Sequence, residues 1–161
     1  MKYLLSLAML LGFAVVCCAT EPITLLSINV RNGDAPDGEN HWDHRKDFLL
    51  EILKEGNYDF IGGQEVLTTP DLRSNQVVFF FENLTNYGIL FQNREKEGVV
   101  RGEGAPVLHR LDRWRLDPED YGSFWLSDTP DIPGSVTWEG QSGYTPFVPA
   151  GYFTKSIPKA N

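Results

Sequence analysis

Two hydrophobic patterns follow one another in the first third of the chain, and together they predict a βαβ unit. Residues 23–30 (I-T-L-L-S-I-N-V) are rich in aliphatic and β-branched side chains, which predicts a buried strand. Residues 58–63 (Y-D-F-I-G-G) predict a second strand. Between them, apolar side chains recur at helical spacing opposite charged ones, which predicts an amphipathic helix. Its apolar stripe comprises Trp42, Phe48, Leu49, Ile52 and Leu53.

The ends of this helix also carry sequence signals. Residues 31–39 (R-N-G-D-A-P-D-G-E) form a turn-rich loop, because Gly, Pro, Asp and Asn favour backbone reversals. Asn40 is predicted to cap the helix N-terminus, and Asp43 suits its positive first turn. Gly56 is predicted to end the helix as a left-handed cap.

Two oxygen-bearing side chains stand at the ends of the two predicted strands. Asn29 lies at the end of the first, and Glu65 directly follows the second. Strands joined by a helical crossover usually lie parallel, so their carboxyl ends meet at one edge of the sheet. Open α/β sheets bind ligands at that edge. The spacing therefore predicts that Asn29 and Glu65 converge on a metal site.

The middle of the chain predicts one helix and several short strands. Residues 68–71 (T-T-P-D) are typical of a helix start, with Pro at a tolerated first-turn position. The following V-V-F-F-F run is ambiguous between strand and helix, and its length and start signal favour a helix. Strands are predicted at residues 87–92, 105–109, 114–116 and 123–126, with a charged loop at 93–104. The short strands suggest a meander that joins the sheet.

The two ends of the chain differ from the rest. Residues 1–19 combine a basic start at Lys2, a largely apolar stretch at 4–16 and small residues up to Ala19, which predicts a secretory signal peptide. That stretch is too short to cross a bilayer comfortably. The pattern predicts a secreted or periplasmic protein, with lipidation at Cys17 or Cys18 disfavoured. Residues 139–161 show no period and are predicted to be irregular coil, which leaves 22–138 as the domain.

Composition is that of one ordinary globular domain, and charge restricts its partners. The 161 residues are 42% hydrophobic and 22% charged. Cleavage of the leader removes both cysteines and Lys2, leaving 13 basic against 22 acidic residues and a net charge of −9. Disulfide and thiol chemistry are then excluded. The charge disfavours strong binding to duplex nucleic acid, and a phosphoester substrate would need a cation to mediate.

Several strings resemble the endonuclease/exonuclease/phosphatase superfamily. They are N-V-R at 29–31, W-x-x-R-K at 42–46 and I-G-G-Q-E at 61–65. Further along, G-E-G-A-P-V-L at 102–108, D-R-W at 112–114 and F-W-L-S-D-T-P-D-I-P-G-S at 124–135 are similar to its secreted bacterial branch of metal-dependent hydrolases. The resemblance covers about residues 23–138.

This resemblance implies an α/β fold, part of a four-layer α/β sandwich, and cleavage of phosphoester bonds with Mg²⁺ or a similar divalent cation. The strand-end Asn of the family falls on Asn29, and its Gln-Glu metal carboxylate falls on Glu65. Mg²⁺ prefers oxygen ligands and is held by one or two carboxylates together with substrate phosphate, which agrees with these residue types. Arg31 is a weaker candidate for binding the substrate phosphate, with pairing to a neighbouring acid as the alternative.

The sequence also departs from the family pattern. Family members carry a T-H-x-D-like strand end, a G-D-x-N segment and a terminal S-D-H, which supply proton transfer and phosphate binding; none of these strings occurs in the 161 residues. The chain is thus expected to hold only the N-terminal half of the fold, through a frameshift, a premature stop or a truncated gene model, and to be inactive alone. The catalytic residues stay unassigned.

Other interpretations of these residues stay open. Without the family, Glu65 would more often be a solvated acid, and Asn29 could simply cap its own loop. The histidines favour ordinary roles: His41 and His44 as exposed residues at a helix start, and His109 in packing at the core edge. A secreted, non-catalytic binding module that reuses the half-fold is the main alternative function. A carbohydrate-active protein is a weaker one.

Overall fold

The computed structural model describes residues 21–95, 99–132, 135, 137 and 147–155. The predicted βαβ unit is present. It consists of strand β1 (Leu25–Asn29), a short 3-10 helix (Gly38–Asn40), helix α1 (Trp42–Gly56) and strand β2 (Phe60–Gln64). The elements that follow are β3 (Val66–Thr68), α2 (Gln76–Asn83), β4 (Tyr87–Leu90), β5 (Gly102–Gly104), β6 (Val107–Arg110), β7 (Trp114–Trp125) and β8 (Phe147–Lys155).

The main sheet has the strand order β1-β2-β6-β4. β1 and β2 are parallel, as the crossover predicted, and Asn29 pairs with Gln64 at their carboxyl ends. β6 is antiparallel to both of its neighbours. Two-stranded sheets formed by β3 with β5 and by β7 with β8 complete the described part. The mixed α/β class predicted from the sequence is confirmed.

The helices cover one face of the main sheet. Ile61 of β2 and Leu108 of β6 are paired across the strands and belong to one buried cluster with Trp42 and Leu53 of α1 and Phe80 of α2. Successive side chains of a strand point to opposite faces. The next cross-strand pair, Phe60 and His109, therefore lies on the other face.

The β7–β8 ribbon covers part of that other face. The Phe60 ring lies 4.9 Å from Trp114 of β7 and 5.1 Å from Phe153 of β8. His109 is 5% exposed and its ring is 4.9 Å from Phe153, which confirms that this histidine packs at the core edge. Burial lowers the pKa of His109. Helices, main sheet and ribbon thus form successive layers.

Two expectations about the ends of α1 are wrong in detail. His41, not Asn40, is the N-cap, and its Nδ1 accepts a hydrogen bond from the Asp43 amide at 3.3 Å. Gly56 is the last helical residue, and Asn57 adopts the left-handed conformation after it, with φ of 45°. Asn tolerates that region better than most residues because its short polar side chain can bond locally.

The apolar stripe of α1 is narrower than predicted. Trp42, Leu49 and Leu53 are buried, whereas Phe48 is 67% exposed and Ile52 is 36% exposed.

Helix α2 is confirmed, but it begins later than predicted. Residues 68–71 do not start it: Thr68 ends β3, and the helix begins at Gln76 after Asn75. Asn75 is the N-cap, with its side-chain oxygen accepting from the Val78 amide at 3.0 Å. Residues 69–74 form a loop with a turn at 72–74 instead, in which the Asp71 side chain accepts from the Arg73 amide at 3.1 Å.

The C-terminal part departs most from expectation. The two short strands predicted at 114–116 and 123–126 form one strand, β7, with a register irregularity between Leu116 and Tyr121. It pairs with β8 rather than joining the main sheet as a meander. Irregular coil is therefore wrong for residues 147–155; residues 138–146 and 156–161 lie outside the described residues.

The predicted signal peptide at residues 1–19 also lies outside the described residues. Within the described ranges, neither helix combines the length and the apolar character that crossing a bilayer requires.

Candidate functional site

The carboxyl ends of β1 and β2 bring Asn29 and Glu65 together, as the sequence predicted. The ladder between the strands continues past Asn29, because the Val30 amide donates to the Gln64 carbonyl at 2.9 Å. Asn29 Nδ2 donates to Glu65 Oε1 at 2.8 Å, and Asn29 Oδ1 accepts from the Arg31 amide at 2.8 Å. The amide side chain is therefore oriented by its partners, with its NH₂ group toward the carboxylate.

Arg31 and Glu65, which lie just beyond the two strand ends, have a strained backbone. Arg31 has φ of 61° and Glu65 has φ of 56°, in the left-handed region that non-glycine residues rarely adopt. Such conformations cost about 1–3 kcal/mol each and persist where the surrounding structure holds them, often at functional sites. Here the strain turns the chain out of each strand at the point where Asn29 and Glu65 meet.

Arg31 links the carboxylate to the loop after β1. Its Nε and Nη2 donate to the two oxygens of Asp37 at 3.0 Å each, and its Nη1 lies 3.8 Å from Glu65 Oε2. The Arg31 hydrogen bond keeps the pKa of Asp37 below its usual value. The Arg31 side chain is 54% exposed, so it is accessible to an anion arriving at this edge.

The backbone under Arg31 is held from the helix side. Arg45 of α1 donates to the carbonyls of Val30 and Arg31, the latter at 2.9 Å, and its guanidinium carbon lies 5.2 Å from the centre of the Trp42 ring. Gln76 of α2 also donates to the Arg31 carbonyl at 2.9 Å. Sequence reasoning placed Arg45 in a motif and Gln76 on a helix, but gave neither a role.

A second loop joins this edge. Asn32 donates to Glu103 of β5 at 2.6 Å, and Glu103 also pairs with Arg94 at 2.5 Å. Arg101 pairs with Asp34. The Asn32–Glu103 and Arg101–Asp34 contacts therefore hold the loop after β1 against β5 and the residue before it. Neither contact was predicted, because the partners are far apart in sequence.

The site can offer a divalent cation only a few protein ligands. Across the described residues, no group of three or more His, Cys, Asp or Glu side chains could hold a metal. Glu65 offers a carboxylate whose side chain is 35% exposed, and Asn29 orients it. One carboxylate with waters and substrate phosphate suits Mg²⁺, which dehydrates reluctantly. The residues present are therefore compatible with Mg²⁺, with Glu65 as the protein ligand.

A separate concavity of about 510 Å³ lies along the F-W-L-S-D-T-P segment, lined by residues 124–128, 130 and 137. Asn29, Arg31 and Glu65 do not line it.

Several solved structures are similar to this chain. An endonuclease/exonuclease/phosphatase family protein from Bacteroides thetaiotaomicron superposes with a TM-score of 0.70 and 26% sequence identity over 84% of this chain. A family protein from Bacteroides vulgatus gives 0.70 and 27% over 83%. The chain has the endonuclease/exonuclease/phosphatase fold. A mannosyl-6-phosphatase from Bacteroides thetaiotaomicron is similar as well, with a TM-score of 0.68 and 26% identity over 83% of this chain. The fold is therefore one that phosphoesterase-type hydrolases also have.

The chain is short beside these similar structures. It spans 46%, 47% and 46% of those three chains, respectively. An uncharacterized protein of Acanthamoeba polyphaga mimivirus is 28% identical over 100 residues, which is 60% of this chain and 34% of that protein. No family model matches the sequence.

Proposed function

We propose that this chain provides the metal-holding part of a phosphoester hydrolase, with Glu65 as the metal ligand and Asn29 as the group that orients it. The observation that carries the proposal is the 2.8 Å hydrogen bond between these side chains at the ends of two parallel strands. The similarity to phosphoesterase folds at 26–27% identity supports the reaction class.

Asn29, Glu65 and Arg31 have separate roles in this proposal. Asn29 fixes Oε1 of Glu65 by hydrogen bonding, which leaves Oε2, 3.8 Å from Arg31 Nη1, to bind the cation. Arg31 can leave Asp37 and pair with a phosphate oxygen, since a guanidinium binds either anion in the same forked geometry. A bound Mg²⁺ would supply Lewis-acid polarisation of the phosphoryl oxygen.

The reaction needs groups beyond these. The family strings that bring proton transfer are absent from the 161 residues, so we expect this polypeptide alone to bind the cation but to turn over substrate very slowly. The similar mannosyl-6-phosphatase makes a sugar 6-phosphate a reasonable first substrate to test. The excess of acidic residues makes strong duplex binding a poor expectation.

The central prediction is that Glu65→Gln weakens binding of the cation. We expect Mn²⁺ affinity, measured by calorimetric titration of the purified chain, to fall about 10-fold or more when the carboxylate becomes an amide. Glu82→Gln, an exposed acid on α2, is the matched control and should leave the affinity unchanged. Equal affinity of the Glu65 variant and the wild type would overturn the proposal.

A second measurement separates hydrolysis from the alternative, a non-catalytic binding module. Release of phosphate from mannose 6-phosphate with Mg²⁺, lost in Glu65→Gln, would favour an enzyme. Because the isolated chain is expected to turn over slowly, release is followed over long incubations. Mn²⁺ binding with no Glu65-dependent release above the uncatalysed rate would favour the binding module.

We also propose that the chain is exported, on the basis of the leader pattern at residues 1–19. Expression in a bacterial host should give a periplasmic or secreted product whose mass corresponds to cleavage after Ala19. Leu10→Arg, which interrupts the apolar stretch with a charge, should keep the uncleaved chain in the cytoplasm. An uncleaved wild-type product would contradict export.

A further inference from the structure

Gln76 is a buried polar side chain that bridges two segments of the site. It is the first residue of α2 and is fully buried. Its Oε1 accepts from the Leu67 amide at 2.8 Å, and its Nε2 donates to the Arg31 carbonyl at 2.9 Å. Leu67 and Arg31 belong to different segments, so one side chain connects them.

The two bridged residues have equivalent positions relative to the site. Arg31 lies two residues after Asn29, and Leu67 lies two residues after Glu65. The Gln76 bridge therefore joins the chain just beyond each strand end, on the helix side of the main sheet. Because both exits pass through a left-handed residue, their directions depend on what holds the backbone afterwards.

An amide suits this bridge because it offers one acceptor and two donors. A carboxylate at the same position could accept from Leu67 but could not donate to Arg31. Gly33 leaves room for the Gln76 side chain, because a Cβ at position 33 would lie 2.8 Å from the Ser74 carbonyl oxygen and 3.2 Å from Gln76 Cδ. Glycine at position 33 thus permits the loop after β1 to approach the start of α2.

Arg45 of α1 also binds the backbone of the segment that follows β1. It donates to the Arg31 carbonyl at 2.9 Å and also to the Val30 carbonyl. The Arg31 carbonyl therefore accepts from both helices, through Arg45 of α1 and Gln76 of α2. Only the Gln76 contact extends to the Glu65 exit.

We propose that Gln76 is a positioning residue that sets the separation of Asn29 and Glu65, and thereby the cation affinity of the site. The expected effect on cation affinity rests on the proposed function. The effect on backbone geometry rests only on the two hydrogen bonds of Gln76. Gln76 acts through the backbone of Arg31 and Leu67 and does not touch the carboxylate.

The test compares Gln76→Met with Leu84→Ala. Met fills a similar volume without either hydrogen bond, whereas Leu84→Ala removes a buried side chain at the opposite end of α2 and serves as the control for lost stability. Gln76→Glu is the second variant, because it keeps the acceptor for Leu67 and loses only the donor to Arg31. All are studied at a temperature at which circular dichroism shows them folded.

Two measurements give the result. Mn²⁺ affinity should fall about 10-fold in Gln76→Met, the size of effect that supporting residues have at metal sites, and should be unchanged in Leu84→Ala. Hydrogen exchange of the Arg31 amide, which donates to Asn29 Oδ1, should become about 10-fold faster in both Gln76 variants than in Leu84→Ala.

The outcomes distinguish this inference from the proposed function. Weakened Mn²⁺ binding in Glu65→Gln with unchanged binding in Gln76→Met overturns the positioning role and leaves the proposed function standing. Unchanged binding in Glu65→Gln overturns the proposed function; the exchange rate of the Arg31 amide then decides the geometric role of Gln76. Equal exchange in the Gln76 and Leu84 variants contradicts it.

Discussion

Asp59→Asn should lower the free energy of unfolding by about 3–5 kcal/mol, the range measured when one partner of a buried charge pair is removed. Asp59 is fully buried before β2. Its Oδ2 accepts from the Thr24 amide at 2.8 Å, its Oδ1 accepts from Trp114 Nε1 at 3.0 Å, and Arg113 Nη1 lies 2.8 Å from Oδ1. Because donors face both oxygens, the NH₂ of an asparagine would meet a donor in either orientation.

Urea unfolding followed by tryptophan fluorescence measures this loss, with Asp112→Asn as the control. Asp112 also pairs with an arginine, Arg110, but its side chain is 62% exposed, so its loss should cost only about 0–1 kcal/mol. Similar unfolding free energies for the two variants would mean that the buried carboxylate does not hold the start of β1 to β7.

The same carboxylate makes the difference between wild type and Asp59→Asn depend on pH. Burial raises the pKa of Asp59, but hydrogen bonds from Thr24 and Trp114 and the charge of Arg113 outweigh it and lower the pKa. A group with a lowered pKa stabilises the fold above its unfolded value, about 3.9, and this contribution is lost as the pH falls through the folded pKa. The stability difference should therefore be constant near neutral pH and shrink below about pH 4.

The site edge was predictable because its geometry follows from local patterns. A 3.6-residue period between two β-branched runs fixes a βαβ unit, and the parallel register then places Asn29 beside Gln64 and next to Glu65. The side chains that support this edge were not predictable. Gln76 and Arg45 donate to backbone carbonyls that are distant in sequence, and a sequence pattern does not indicate which carbonyl a polar side chain contacts.

The C-terminal ribbon illustrates a different limit. β8 reads F-V-P-A-G-Y-F-T-K, and its Pro, Ala and Gly are poor strand formers in isolation. It is a strand because β7, more than twenty residues earlier, supplies its partner along most of its length. Non-local pairing of this kind overrides local propensity, so residues 139–161 gave a coil signal throughout.

Helix ends and faces show a smaller version of the same effect. The stripe of α1 was predicted to bury Phe48 together with Leu49, but helical neighbours point about 100° apart, and the main sheet covers only part of that arc. Which side of the stripe is covered depends on how α1 packs in the tertiary structure, and the helical period alone does not determine that packing.

Trp42→Ala should lower the free energy of unfolding by about 3–5 kcal/mol, and the melting temperature by about 10 °C. Trp42 is 1% exposed, and its ring packs edge-on against Phe79 at 5.1 Å and Phe80 at 6.2 Å. Its removal opens a cavity between α1 and α2. It also removes the aromatic face beneath the Arg45 guanidinium, which lies 5.2 Å away.

Phe48→Ala is the matched control, since it truncates an aromatic residue of the same helix that is 67% exposed. Its effect should stay within about 0.5 kcal/mol, as for surface substitutions in general. Thermal unfolding by circular dichroism compares the two. A large loss in Phe48→Ala, or a small one in Trp42→Ala, would contradict the burial pattern of α1. Because Trp42 also supports Arg45, Trp42→Ala should speed exchange of the Arg31 amide at temperatures where the variant is folded, whereas Phe48→Ala should not.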